Sequence, residues 1–134
     1  MLKSFALASV FAAAIVVPAV ADDSCSEPIA PATINGAAAT EKQLNEIGQD
    51  VKLFMKQSSD YQDCLIGGLK AQQAQAAHDK KQLDPSVTDA VQAKIDANQK
   101  VKEKVGTEFN SAALRFCQAH PKTGGCDKIL YAPH

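Results

Sequence analysis

The chain has 134 residues and a formal net charge of -1, from 14 basic and 15 acidic side chains. This balance argues against a nucleic-acid partner, which would favour clustered positive charge. The length suffices for one domain, and the absence of tryptophan argues against a carbohydrate platform or an aromatic cage.

Residues 1–21 have the pattern of a secretory signal peptide. A basic start at Lys3 precedes an apolar run from Phe5 to Val17, and Ala19-Val20-Ala21 offers small residues for cleavage. A membrane anchor is the alternative, but the apolar run is short for a span of about 20 residues, and charged Asp22 follows at once. The sequence therefore predicts a periplasmic or secreted protein without a stable membrane anchor.

Residues 22–39 form the next segment, and their composition predicts an extended lead-in. Pro28 and Pro31 lack the amide donor, and Asn35-Gly36 favours a turn. A disordered tail is the alternative. Cys25 argues against full disorder, because a disulfide bond there would tether the segment.

A long amphipathic helix is predicted over residues 40–82. Thr40 is a suitable N-cap, and Gln43 occupies the capping-box position three residues later. Small or apolar residues then recur at alternating steps of three and four, the spacing of a heptad seam. The seam consists of Leu44, Ile47, Val51, Phe54, Ser58, Tyr61, Leu65, Gly68 and Gln72.

Gly67-Gly68 is the weak point of this helix, because each glycine costs on the order of 1 kcal/mol against alanine. We expect the pair to permit close approach of another backbone, since the seam stays in phase across it. A kink at the pair is the alternative.

A second helix is predicted over residues 85–119. Asp84 can cap it, and Pro85 suits its first position. Asn98 interrupts an otherwise apolar stripe; it either fixes the register of the pair, at some cost in stability, or faces water. The stripe consists of Val87, Val91, Ile95, Asn98, Val101, Val105, Phe109, Ala112 and Phe116.

The fold class is therefore all-α: a long antiparallel, coiled-coil-like helical hairpin over residues 40–134, with a short C-terminal tail. A tight corner at Asp84-Pro85 would pair residues whose numbers sum to about 169. This register sets Ala71 near Asn98, His78 near Val91 and Tyr61 near Phe109. It also brings the alanine-rich end of the first helix into the packed seam.

Four cysteines remain after the leader, namely Cys25, Cys64, Cys117 and Cys126, and an even count in an exported chain predicts two disulfide bonds. The hairpin register separates Cys64 from Cys117 by about 18 Å along the axis, so these two cannot bond. We therefore expect Cys25–Cys64 to tie the lead-in along the first helix and Cys117–Cys126 to close the tail. Cys64–Cys126 with Cys25–Cys117 is the alternative.

Candidates for chemistry are few, and no phosphate loop, nucleophile elbow, metalloprotease motif or Cys-x-x-Cys occurs. A zinc site of Cys117, His120, Cys126 and His134 is conceivable, but a disulfide bond beside a solvated histidine fits an exported protein better. His78-Asp79 offers a pH-sensitive pair near the turn, but a surface or seam histidine near the hairpin tip is the favoured interpretation.

The sequence thus predicts a non-catalytic protein without cofactor or metal. Its expected role is a structural or interaction module whose partner is an envelope protein or a second copy of itself. A small-ligand or metal carrier around His120 and His134, and a stress chaperone with a pH handle at His78, are the alternatives.

Overall fold

The computed structural model describes residues 24–126, and within this range the protein is all-helical. A short 3₁₀ helix, η1 (Gly36–Ala38), precedes two long antiparallel α-helices, α1 (Glu41–His78) and α2 (Pro85–Ala119). The predicted hairpin is confirmed. The predicted signal peptide and the end of the tail, including His134, lie outside the described residues.

Helix α1 begins at the predicted capping box. The Thr40 hydroxyl accepts a hydrogen bond from the Gln43 amide at 3.2 Å. In return, the Gln43 side-chain oxygen accepts one from the Thr40 amide at 2.9 Å. Two donors that lack partners inside the helix are thereby satisfied, which fixes the first turn.

Helix α1 ends earlier than the predicted residue 82. The Lys80 amide donates to Ala77 and the Lys81 amide to Ala76, while Lys80 adopts a left-handed φ of 52°. These bonds form a Schellman motif, which closes the helix after His78 and reverses the chain. The sequence did not predict this end of the helix, because lysine rather than glycine occupies the left-handed position.

Nearly all predicted seam positions are buried or half-buried. On α1 this holds for all nine positions of the predicted stripe. On α2 it holds for every predicted position except Val101, which is 37% exposed. At this turn the half-buried neighbour Lys102 takes the place in the seam, and its ammonium donates to the Ser59 hydroxyl at 3.2 Å. Its apolar stem can line the seam while the charge remains near water.

The predicted register of the hairpin is wrong. Asn98 lies against Ser58 and Gln62 rather than Ala71, a slide of about ten residues or ~15 Å along the axis. Tyr61 packs with Leu65 and Val91.

Further along the pair, Phe109 packs against the cluster of Val51, Phe54 and Val105 rather than against Tyr61. The cause is the connection over residues 79–84, which replaces the tight corner and lets α2 start beside an earlier part of α1. For the same reason Ala71, Ala74 and Ala77 remain exposed and form no close-packed seam.

Both predicted disulfide bonds are present. Cys25 bonds to Cys64 with a Cα–Cα distance of 5.8 Å, and Cys117 bonds to Cys126 with one of 5.2 Å. The first bond draws the lead-in along α1. Residues 26–35 form neither helix nor strand, whereas residues 36–38 of the predicted lead-in form η1. We refer to residues 25–34 as the strap.

The lead-in also contacts α2 through η1, which the sequence reasoning missed. A Cβ on Gly36 would lie 1.8 Å from the Ala112 carbonyl oxygen, so only glycine fits at this crossing. Close approach was expected at Gly67-Gly68 instead. That expectation is wrong, because nothing lies within 4 Å of where their Cβ atoms would be, and α1 is continuous through both.

Within residues 24–126, neither helix combines the length and the apolar character needed to cross a membrane.

Candidate functional site

The strap and the outer face of α1 line an open surface depression. Its strap wall is the segment 29–32, an isoleucine followed by alanine, proline and alanine. Its α1 wall includes Ile47, Leu53 and Phe54, and its volume is about 330 Å³. We call this depression the strap groove.

A second depression continues the strap groove towards the disulfide bond. It shares Ile29 and Gln57 with the strap groove and ends at Cys25 and Cys64, with a volume of about 580 Å³. The two depressions therefore form one continuous surface along α1. A further depression beside Thr40 is lined by that residue and the first turns of α1 alone, so it has no opposing wall.

Two apolar side chains at the strap groove point into solvent. Ile29 is 91% exposed and Leu53 is 55% exposed, the two highest values among the large exposed apolar residues of the described chain. Both lie outside the heptad seam, so burial in the hairpin does not account for them. Isolated exposed apolar residues are common, but these two line the same groove, where they offer an apolar contact to a partner.

The charge around this surface is negative. Asp50 lines the strap groove, and Glu27 and Asp60 line its continuation, whereas neither depression is lined by a lysine or an arginine. Lys56 lies nearby and pairs with Asp60 at 2.6 Å, which neutralises one of the three carboxylates. The rim thus retains an acidic bias.

Tyr61 forms the floor of the second depression and is only 6% exposed. Burial raises the pKa of its phenol, and the negative charge of Glu27 raises it further. The exposed Glu27 carboxylate of the strap thus lies close enough to Tyr61 to influence its phenol.

The hairpin core contains a buried polar cluster. Ser58 is 0% and Asn98 1% exposed. The Asn98 amide donates to the Ser58 hydroxyl at 3.4 Å, and its oxygen accepts from Gln62 at 2.8 Å. Of the two interpretations of Asn98, the structure therefore selects the seam position over the solvent-facing one. Because these groups satisfy one another inside the seam, we assign them a structural role and no chemistry.

The conceivable zinc site is not assembled from the predicted ligands. Cys117 and Cys126 bond to each other, so neither offers a thiolate. His120 is exposed, with its ring 4.8 Å from that of Phe116, and His134 lies outside the described residues. Within residues 24–126, no group of three or more histidine, cysteine, aspartate or glutamate residues is arranged to hold a metal ion.

The predicted pair at the hairpin tip does form. His78 Nδ1 lies 3.2 Å from Asp79 Oδ1, and both side chains are on the surface. Hydrogen bonds from Gln75 and then from His78 lower the pKa of Asp79. Because both side chains lie on the surface, breaking this pair uncovers no apolar surface, and the proposed role of His78 in a chaperone gains no support from its position.

The sequence reasoning missed Ile29 and Leu53 as surface features. The available signal was weak: Leu53 is apolar but out of phase with the α1 seam, and Ile29 is the one large apolar residue among the prolines of the strap's first half. Comparisons of the chain with protein-family models, curated proteins and solved structures found no match.

Proposed function

We propose that this protein is a non-catalytic interaction module of the cell envelope, exported to the periplasm or secreted. The observation that carries the proposal is one groove lined by two exposed apolar side chains, Ile29 on the disulfide-tethered strap and Leu53 on α1. Two disulfide bonds are typical of proteins that work in an oxidising compartment outside the cytoplasm.

The partner is a protein segment with an apolar anchor flanked by basic side chains. The apolar anchor would occupy the strap groove between Ile29 and Leu53, removing both from water. Lysine or arginine beside it would complement Asp50 and Glu27, which favours encounter more than it adds affinity. The hairpin and its disulfide-tethered strap already form this surface in the free protein, so little conformational entropy is lost when the segment binds.

Site-specific photo-crosslinking in the native envelope tests this proposal. A photoreactive residue at position 53 should crosslink to a defined partner peptide, and one at position 101 should not. Val101 is a suitable control because it is 37% exposed and apolar but lies on α2, away from the groove.

The crosslink should disappear when Ile29 is replaced with aspartate, while helical circular dichroism is unchanged. The partner peptide should contain an apolar residue flanked by lysine or arginine. Equal crosslinking from positions 53 and 101, or a yield indifferent to Ile29→Asp, contradicts the proposal. A crosslink to a second copy of the chain, with a concentration-dependent dimer in light scattering, assigns the groove to self-association instead.

A further inference from the structure

The two disulfide bonds differ in their access to solvent. Cys117 and Cys126 are 1% and 2% exposed, and they belong to a packed cluster with Phe116 and Ala39. Cys64, by contrast, is exposed on α1, and Cys25 is half-buried. A reducing thiolate can therefore approach the Cys64 sulfur without unfolding the hairpin, whereas the other bond is covered.

The strap depends on the accessible bond. Among the described residues, no backbone hydrogen bond joins residues 25–34 to either helix. Ile29 is 91% exposed, so it adds little packing. Pro28 and Pro31 are half-buried, Ile34 packs against the Phe116 cluster, and Gly36 lies against Ala112. Within residues 24–126, Cys25–Cys64 is the covalent attachment of residues 25–29 to the hairpin, and no backbone hydrogen bond to either helix supplements it.

The strap covers part of the hydrophobic core. Cys25 packs against the cluster of Tyr61, Leu65 and Val91, which are 6%, 4% and 2% exposed. Departure of the strap would uncover the Tyr61 and Leu65 side of this cluster. It would also remove the Ile29 wall from the strap groove.

We propose that Cys25–Cys64 is a redox-sensitive attachment of the strap: its selective reduction by a dithiol releases the strap and exposes apolar surface, while Cys117–Cys126 remains intact and keeps the tail on α2. This inference goes beyond the proposed function and does not depend on it, since it concerns only the strap and the core beneath it.

The chemistry is thiol–disulfide exchange with a dithiol, such as a dithiol oxidoreductase or dithiothreitol. A thiolate of the dithiol attacks the Cys64 sulfur, the Cys25–Cys64 bond breaks, and Cys25 leaves as a thiolate that takes up a proton. The second thiolate of the dithiol then attacks its own partner sulfur in the mixed disulfide and releases Cys64, which is protonated in turn. The dithiol is oxidised to a disulfide, and the two protein cysteines are reduced to thiols.

Differential alkylation tests the selectivity. The purified chain is exposed briefly to dithiothreitol under native conditions, quenched with an alkylating agent and mapped by mass spectrometry. Alkylation of Cys25 and Cys64 should be at least ~10-fold faster than that of Cys117 and Cys126, following their difference in access. Equal rates, or earlier alkylation of Cys117 and Cys126, overturn the proposal.

Quenching of tyrosine fluorescence tests the release. The chain has two tyrosines and no tryptophan, so a Tyr131→Phe background reports Tyr61 alone. Acrylamide should quench Tyr61 at least ~2-fold more strongly after selective reduction, and likewise in a Cys25→Ser/Cys64→Ser variant, with helical circular dichroism retained. Unchanged quenching in the reduced wild-type chain means that the strap stays in place and overturns the proposal, as does a loss of helicity on the same time scale.

Discussion

Gly36 and Gly67 differ in whether an added side chain would meet a neighbour. Gly36 touches the backbone of Ala112, whereas Gly67 lies in open solvent on α1. At Gly36 a side chain would force the lead-in away from α2. At Gly67 the cost of glycine is only its backbone entropy in a helix.

Alanine substitutions should therefore have opposite effects at these two positions. Gly36→Ala should lower the free energy of unfolding by about 1–3 kcal/mol, because its Cβ overlaps backbone that cannot rotate away. Gly67→Ala should raise it by about 1 kcal/mol, because alanine favours the helix and meets no neighbour. Urea denaturation of both variants measures the difference; effects of the same sign at the two sites would contradict the assigned contact.

Asn98 is the other residue whose context decides its role. It is buried among apolar neighbours, yet its amide group is paired with Ser58 and Gln62. A buried polar group in a helical seam costs stability but specifies which turns pair. The hydrogen bonds of Asn98 with Ser58 and Gln62 thus favour the observed register over the one predicted from a tight corner, which differs from it by ~15 Å along the helix axis.

A double-mutant cycle at Ser58 and Asn98 should reveal this coupling. Asn98→Ala should lower the free energy of unfolding by about 1–3 kcal/mol, since it leaves buried hydrogen-bonding groups without partners. Ser58→Ala should also destabilise, because the Asn98 amide loses its acceptor. The double variant should cost less than the sum of the two by at least ~0.5 kcal/mol. Strict additivity in chemical denaturation would mean that the pair does not interact.

At the scale of the elements, the ends of the helices account for the length of the connection. The Schellman motif around Lys80 closes α1, and Asp84 opens α2 by accepting a hydrogen bond from the Ser86 amide at 2.9 Å. Hydrogen bonds from the Ser86 backbone and then its side chain lower the pKa of Asp84. The carboxylate form of Asp84 thus caps α2 better than the protonated form.

The stability that Asp84 contributes should be lost in acid. Because its folded-state pKa lies below the value in the unfolded chain, the contribution is complete above about pH 4 and declines as pH falls through the folded-state pKa. Wild-type protein should melt at a higher temperature than Asp84→Asn at pH 7, and the two should converge near pH 2. Thermal melts followed by circular dichroism give the comparison; a difference that is constant over this range would exclude the carboxylate as the cap.

The helices themselves were predictable because their signals are local. The capping box at Thr40, the Asp84-Pro85 start and the two apolar stripes all act within a few turns of chain, so each is legible in the sequence. The register was not, because it depends on where Lys80 enters a left-handed conformation that its side chain does not favour. The place of Lys102 in the seam was not predicted either. From Asn98, a step of four to Lys102 fits the helical spacing as well as the step of three to Val101.

The candidate site was largely beyond prediction from sequence. The Cys25–Cys64 pairing was partly predictable, because distance along the hairpin excludes Cys64–Cys117 but leaves Cys64–Cys126 with Cys25–Cys117 open. The strap groove was not, because it requires knowing that the lead-in passes beside Leu53 and leaves Ile29 in solvent. Ile29 and Leu53 are far apart in sequence and outside any periodic pattern, and only the path of the strap brings them to the same groove.

At the scale of the whole molecule, the lead-in supplies what a two-helix hairpin lacks. Two helices alone have a thin core, and small folds need additional constraints. Here the lead-in adds a third layer, with Cys25 on the Tyr61 cluster and Ala39 on the Phe116 cluster. Cys25–Cys64 ties the first contact covalently, and Cys117–Cys126 lies within the cluster of the second; each bond is expected to contribute about 2–4 kcal/mol.

The pairing of α1 with α2 is the feature on which the strap, the groove and the buried polar cluster all depend. Nuclear Overhauser contacts of the Phe109 ring measure it directly. The structure predicts strong contacts between this ring and the α-protons of Gly48, since a Cβ there would lie 3.2 Å from the ring, and none with the Tyr61 ring. Contacts between Phe109 and Tyr61, with none to Gly48, would contradict the account.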